Sequence, residues 1–319
     1  MENNNFPQRQ VMDNEIDLLE LWNVLWEGKW QIIAITFIFA AGSVVYALSL
    51  PDLYKTEVLL APVSEDSAGG GGLSSALGQL GGLAGLAGIN LQGSNTEVTM
   101  KARALAIVQS RFFIKEFFEK HDALVPFMGT KPGVASGTIE IDPKLYDTES
   151  QQWVRKPSPA GNVIPSDEEV YESFSEILTV TEDETNGLVT IGLEWYEPRL
   201  IKEWMDALVK DLNIYMREQD TIEAQRAINY LNEQLQKTSL IEMRSVFFNL
   251  IEQQTQQVML ADSREEYALD TIDPAVVPET KSAPRRALIC ILGALLGAML
   301  SIFIALLKHY AFNGNKELV

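Results

Sequence analysis

Charged residues are absent from two stretches of about twenty positions, 31–50 (QIIAITFIFAAGSVVYALSL) and 287–307 (ALICILGALLGAMLSIFIALL). At ~1.5 Å rise per residue, each is long enough as a helix to cross a hydrocarbon core of ~30 Å. The pattern therefore predicts a membrane span near each end and a loop, 51–286, of 236 residues on one side of the bilayer. A cleaved leader is the weaker reading of the first stretch, because acids outnumber bases ahead of it and it exceeds the usual 7–15 residue apolar region.

Within the loop the apolar period changes several times. Residues 54–62 (YKTEVLLAP) read as a strand, and 101–119 (KARALAIVQSRFFIKEFFE) as one helix with Ala104, Ile107 and Phe112 on a face. Phe112, Phe113, Phe117 and Phe118 are read as core. A short strand is expected at 138–141, then a Pro- and Gly-punctuated loop at 156–165. Ser166-x-x-Glu169 has the form of a capping box opening a helix over 167–175. Alternation over 177–181 and 188–195 about Asn186-Gly187 predicts a hairpin, with Glu182, Asp183 and Glu184 at a solvated tip.

From Pro198 the chain enters its longest periodic run. Ile201, Met205, Leu208, Leu212, Tyr215 and Ile222 recur in steps of three and four, and the seam resumes at Ile228, Leu231 and Leu235. Such a repeat indicates a long helix packed along a partner helix. The forty residues 198–237 would form a rod of ~60 Å. Lys237-Thr238-Ser239-Leu240 reads as a bend before a second, Gln-rich helical stretch, with a straight run to 261 as the alternative. Residues 266–286 then return as an extended strap punctuated by Pro274, Pro278 and Pro284, since proline holds its predecessor extended.

Three features concern the membrane. Trp22, Trp26 and Trp30 fall on one face of a short helix over 14–30 that is expected to lie in the headgroup region. Gly293-x-x-x-Gly297, continued by Ser301 and Ala305, makes a small-residue stripe suited to close helix contact in lipid. The uncharged segment 67–96 holds ten glycines in thirty residues. It reads as an apolar loop rather than a third span, because glycine weakens a helix by about 1 kcal/mol relative to alanine.

Composition narrows the function. The formal charge is −19, with 25 Lys+Arg against 44 Asp+Glu, which opposes nucleic-acid binding. One cysteine (Cys290) and two distant histidines (His121 and His309) provide neither a zinc site nor a cysteine–histidine pair. No G-x-x-x-x-G-K-[ST] phosphate loop occurs. No catalytic, cofactor-binding or metal-ligating residue is singled out.

The N-terminal EIDLLELWNVLWEGKWQII, the strand after the first span, the GGLAGLAGIN insertion, the long acidic helix and the terminal IDPAVVPETKSAPRRALI together resemble the chain-length determinant family. These are Wzz-type polysaccharide co-polymerases of Gram-negative inner membranes. The resemblance implies cytoplasmic termini (1–30 and 308–319) and a periplasmic α/β (α+β) domain over 51–286. It also implies a long extended helix over about 198–261, with the flanking spans at 31–50 and 287–307. The copies would form an oligomeric ring or bell in the lipid bilayer. Its function would be non-enzymatic: control of the length of O-antigen or a related lipid-linked polysaccharide, in partnership with a membrane polymerase and without a cofactor. On this reading the Ile201–Leu235 seam joins neighbouring copies. The alternatives are capsule or exopolysaccharide export with a separate kinase, a transmembrane sensor, and a membrane glycosyltransferase or hydrolase.

Overall fold

The computed structural model describes residues 26, 28–63, 96–159 and 161–313. The expected interfacial helix before Trp26, the glycine-rich stretch up to 95 and the tail after 313 lie outside them. The chain divides into two units, one comprising the two ends (up to Pro51 and from Ala283) and one spanning Asp52–Ser282.

The first unit contains helices α1 (Lys29–Ser49) and α8 (Arg286–Asn313), both long and apolar enough to cross a membrane. They pack against each other, with most large apolar side chains facing outward.

In the second unit, β1 (Tyr54–Pro62) lies inside a four-stranded antiparallel sheet of order β6-β7-β1-β8, with β6 Leu178–Glu182, β7 Val189–Trp195 and β8 Leu269–Asp273. Val58 and Leu60 on β1 and Val189, Ile191 and Leu193 on β7 are buried, as period-two alternation requires of one sheet face. The β1–β8 pairing slips between Leu59 and Leu60, which pair with Asp273 and Thr271 and leave Ile272 unpaired. Two small hairpins complete the strands: β2 (Thr130–Pro132) with β3 (Ile139–Ile141), and β4 (Tyr146–Asp147) with β5 (Gln152–Trp153).

Helices α2 (Thr96–Val108), α3 (Arg111–Lys120), α4 (Leu124–Met128) and α5 (Asp167–Ile177) surround an aromatic core. The rings of Phe117, Phe118, Phe127, Phe174 and Trp204 meet at centroid distances from 5.2 Å for Phe118–Phe174 to 6.5 Å for Phe118–Trp204. The single helix expected over 101–119 is in fact two. Ser110 is extended and its hydroxyl accepts from Phe113 N at 3.2 Å, so it caps a new helix. The Ser166–Glu169 capping box forms in both directions. The β6–β7 loop is longer than a two-residue turn. Asp183 accepts from Thr185 N and Asn186 Nδ2, and Gly187 takes the left-handed conformation (φ 72°) that closes it.

Helix α6 covers Pro198–Lys237, with proline at its first turn, and α7 covers Ile241–Ser263. The expected bend is a full reversal, and α7 packs back along α6. Ala224, Ile228, Leu231 and Leu235 on α6 and Phe247, Ile251, Gln254, Val258 and Ala261 on α7 are among the covered or half-covered positions along the two arms. Their steps of three and four are those of an antiparallel coiled coil.

The reversal is set by chain length. The arm from 214 to the elbow has about 24 residues and α7 has 23, so at equal rise they end level with one another. Deleting seven residues from each arm (225–231 and 247–253) keeps the hairpin and shortens it by ~10 Å. Deleting seven from α6 alone shifts the elbow into former helix. Distances between spin labels placed near the elbow and at Glu203 distinguish the two outcomes.

Candidate functional site

The long helix is fastened to the rest of the unit by three buried polar residues. Asn213, at the level of β8, accepts from Ala268 N (2.8 Å) and Leu269 N (3.0 Å), and its amide donates to Leu269 O (3.0 Å). One side chain thus satisfies both a donor pair and an acceptor of the returning chain. Asp220, about two turns further along the helix, accepts from Arg103 of α2 at 2.5 Å and from the Tyr267 hydroxyl at 2.9 Å. Burial, followed by this bond to Asp220, raises the Tyr267 pKa far above its ordinary value. Asp211 accepts from Lys120 Nζ (2.7 Å) and pairs with His121 Nε2 (2.6 Å), which ties the C-terminus of α3 to α6. Sequence periodicity passed over all three, because a polar residue on an apolar face reads as an interruption until its partners are known.

Asn213→Ala leaves two N–H groups and a carbonyl without that partner. At about 1 kcal/mol or more per buried orphan group, the expected loss is about 3 kcal/mol in denaturant unfolding of the solubilised protein. Glu203→Ala, at an exposed site, should change stability by less than about 0.5 kcal/mol.

An open cleft of about 1020 Å³ lies between α6 and the β1–β8 edge, with Met205, Val209, Asn213 and Ala275 among its walls. Lys210, Arg217 and Arg264 face it along with Asp206, Glu265, Glu266 and Asp270. The hydrogen bond between Glu266 and Asp270 lowers the pKa of the first and raises that of the second. The mixed charge favours no single ligand class, and no histidine or cysteine lines the cleft.

The residues expected to join copies are divided by the structure. Ile201, Met205, Leu208 and Leu212 are completely buried within their own protomer, and Tyr215 packs against Phe112 and Phe113 at 6.1 Å. They cover the sheet and aromatic core, so they are not available to a neighbouring copy. Leu231 and Leu235 face α7, and Ile222 is exposed. What the sequence hid is the outer surface of α7. Of its residues Ala261 alone is buried, while Ile241, Met243, Val246, Phe248, Leu250, Met259 and Leu260 are exposed.

In the end unit, Gly293 and Gly297 face α1. A Cβ at Gly293 would lie 2.4 Å from Ser43 Cβ, and one at Gly297 would lie 2.6 Å from Phe39 Cβ. Ser301 and Ala305 are buried on the same side. In the returning segment, Thr56 donates to Val276 O at 2.8 Å, between Pro274 and Pro278, and Ser282 N donates to Leu53 O at 2.8 Å just before Pro284.

Comparison with known proteins places this architecture. The Wzz family model, chain length determinant protein, matches residues 14–121. The model of the G-rich GNVR domain, whose description ties it to tyrosine kinases, matches residues 235–310. The two together cover more than half of the chain. The ferric enterobactin transport protein FepE of Escherichia coli (strain K12) is 33% identical over 57 residues, which is 18% of this chain and 15% of FepE. A solved full-length bacterial polysaccharide co-polymerase aligns with 93% of this chain and 99% of its own, at TM-score 0.36 and 15% identity. The N-terminal match runs through the first span and into the core helices, and the C-terminal match takes in the elbow, α7, the returning strand and the second span. The matches of residues 14–121 and 235–310 support the chain-length determinant family of Wzz-type polysaccharide co-polymerases for this chain.

Proposed function

We propose that this protein controls the chain length of a lipid-linked surface polysaccharide, O-antigen in the leading reading, as a non-enzymatic scaffold beside a membrane polymerase. It lies in the bacterial inner membrane with both termini cytoplasmic and residues 51–286 in the periplasm. Several copies assemble into a ring, and its geometry together with the residence of the growing glycan at the polymerase sets the length.

The match of residues 14–121 to the chain-length determinant model carries this reading. The uncovered apolar surface of α7 supports assembly, because a helix with so many exposed large apolar residues gains stability by packing against another protein surface. The acidic body makes strong attachment to an acidic glycan unfavourable and leaves weak, transient contact.

A second reading, export of capsule or exopolysaccharide with a separate kinase, is favoured by the GNVR match. Gel ladders of the host's surface polysaccharides, with this gene deleted and then restored, separate the two. Length control of O-antigen predicts that a clustered ladder becomes random on deletion and clusters again on restoration. An unchanged O-antigen ladder with altered capsule or secreted polymer supports the second reading, and no change in any glycan overturns both.

A further inference from the structure

The two arms of the hairpin each carry an exposed stripe without charge. On α7 it runs Met243, Val246, Leu250, Gln253, Gln257, Leu260, in steps of three and four. On α6 it runs Ile222, Gln225, Asn229, Asn232, Gln236, with the same steps. Neither belongs to the seam between the arms. At about 100° per residue, the α6 stripe is rotated about 120° from that seam and the α7 stripe about 90° in the opposite sense. Because the arms are antiparallel, these opposite rotations bring the stripes to opposite sides of the hairpin.

Their polar residues also agree in height. Residues equally far from the elbow stand level with one another, so Gln253 lies level with Gln225, and the pairs Gln253–Asn229 and Gln257–Gln225 are each offset by about one turn in the same sense. Gln225 Nε2 donates to Asn229 Oδ1 at 3.2 Å, so the α6 amide band is partly ordered already. Elsewhere the Asp52–Ser282 unit is strongly acidic, with 19 Lys+Arg against 37 Asp+Glu. Two copies repel each other over most of their surface, and these uncharged stripes are where they can approach closely.

We infer that the α7 stripe of one copy docks on the α6 stripe of the next, with Gln253 and Gln257 hydrogen-bonded to Gln225 and Asn229 of that neighbour. The inference rests on the ring assembly proposed above and names its contact. Different stripes meet, so the contact is head-to-tail and closes into a ring rather than a dimer. The amide layer fixes the sliding register, since a slipped neighbour would bury amides against Leu250 or Leu260 without partners. Register fixes the angle between copies, and the angle fixes their number.

The test uses the full-length protein with Cys290→Ser, in two differently tagged versions expressed together. Gln253→Cys in one and Gln225→Cys in the other should give an oxidative cross-link joining the two tags, while either variant alone gives none. In native-membrane particles, Gln253→Leu with Asn229→Leu should keep the assembly but spread it over several copy numbers. Cross-linking of Gln253→Cys alone would mean that like faces meet, and would overturn the inference. A single, unchanged copy number in the double leucine variant would overturn the role of the amides. Val246→Glu with Leu250→Glu checks the underlying assembly. If that variant dissociates while the mixed cross-link is absent, the contact named here fails and assembly through α7 stands. If it assembles as wild type and no pair cross-links, the ring reading itself fails at the hairpin.

Discussion

Replacing Leu212 by aspartate is expected to unfold the Asp52–Ser282 unit, not simply to separate copies. Leu212 is fully buried, as are Leu208, Met205 and Met216 on the same helix. Removing a leucine from such a site costs about 2–5 kcal/mol through lost burial and the cavity left behind. An aspartate placed there also buries a carboxyl group, which adds a desolvation penalty of several kcal/mol. The sum approaches the whole stability of an ordinary domain, about 5–15 kcal/mol. Limited proteolysis should show loss of the protected fragment, and denaturant titration should show no cooperative transition. Ile222→Asp, at an exposed position on the same helix, should leave folding unchanged within about 0.5 kcal/mol. A folded but dissociated Leu212→Asp protein would return this residue to the interface between copies.

In the end unit, Gly293→Val with Gly297→Val should force the two helices apart. The backbones approach so closely that even a Cβ would lie inside contact distance of Ser43 and Phe39. Ser43 opposite Gly293 and Phe39 opposite Gly297 make the pair antiparallel, so Ala47 stands one turn from Ser43 at the level of Cys290. Ala47→Cys should therefore form an oxidative cross-link with the native Cys290. Overpacking of this kind costs about 1–3 kcal/mol per site, and in lipid little but packing opposes separation. The cross-link yield should fall by about tenfold or more in the valine variant. An undiminished yield would show that the helices meet without help from the glycines.

Local chemistry made much of the fold legible. Absence of charge marked the two long apolar helices. Pro198 marked the start of α6, while its end rested on an expected bend at 237–240 against an unbroken run to 261. The Ser166–Glu169 box marked α5. The misreadings have a common cause, because periodicity reports which face is covered and not what covers it. The steps from Ile201 to Leu235 are real, but their first half is covered by the protomer's own sheet and aromatic rings and their second half by α7. Ser110 was passed over because a serine inside a helical pattern caps a new helix only when the preceding chain turns away. Asn213, Asp211 and Asp220 looked like polar interruptions, and their meaning lies in partners at 268–269, 120–121, 103 and 267.

The elbow at 238–240 separates what local sequence determines from what it leaves open. From 199 to 263 there is neither glycine nor proline, and at the elbow neither helix end has a side-chain cap. Helix propensity alone allows one unbroken rod. Asn213 holds Ala268 and Leu269, however, and a rod continuing to 263 would end ~75 Å beyond Asn213. Five residues reach at most ~17 Å, so docking of the returning strand requires a reversal near the midpoint. Sequence by itself determined that these residues are helical and which of their faces are apolar. Only the closure of the chain at Asn213 decided that the helix folds back, because a covalent chain of fixed length must reach both ends of its own sheet.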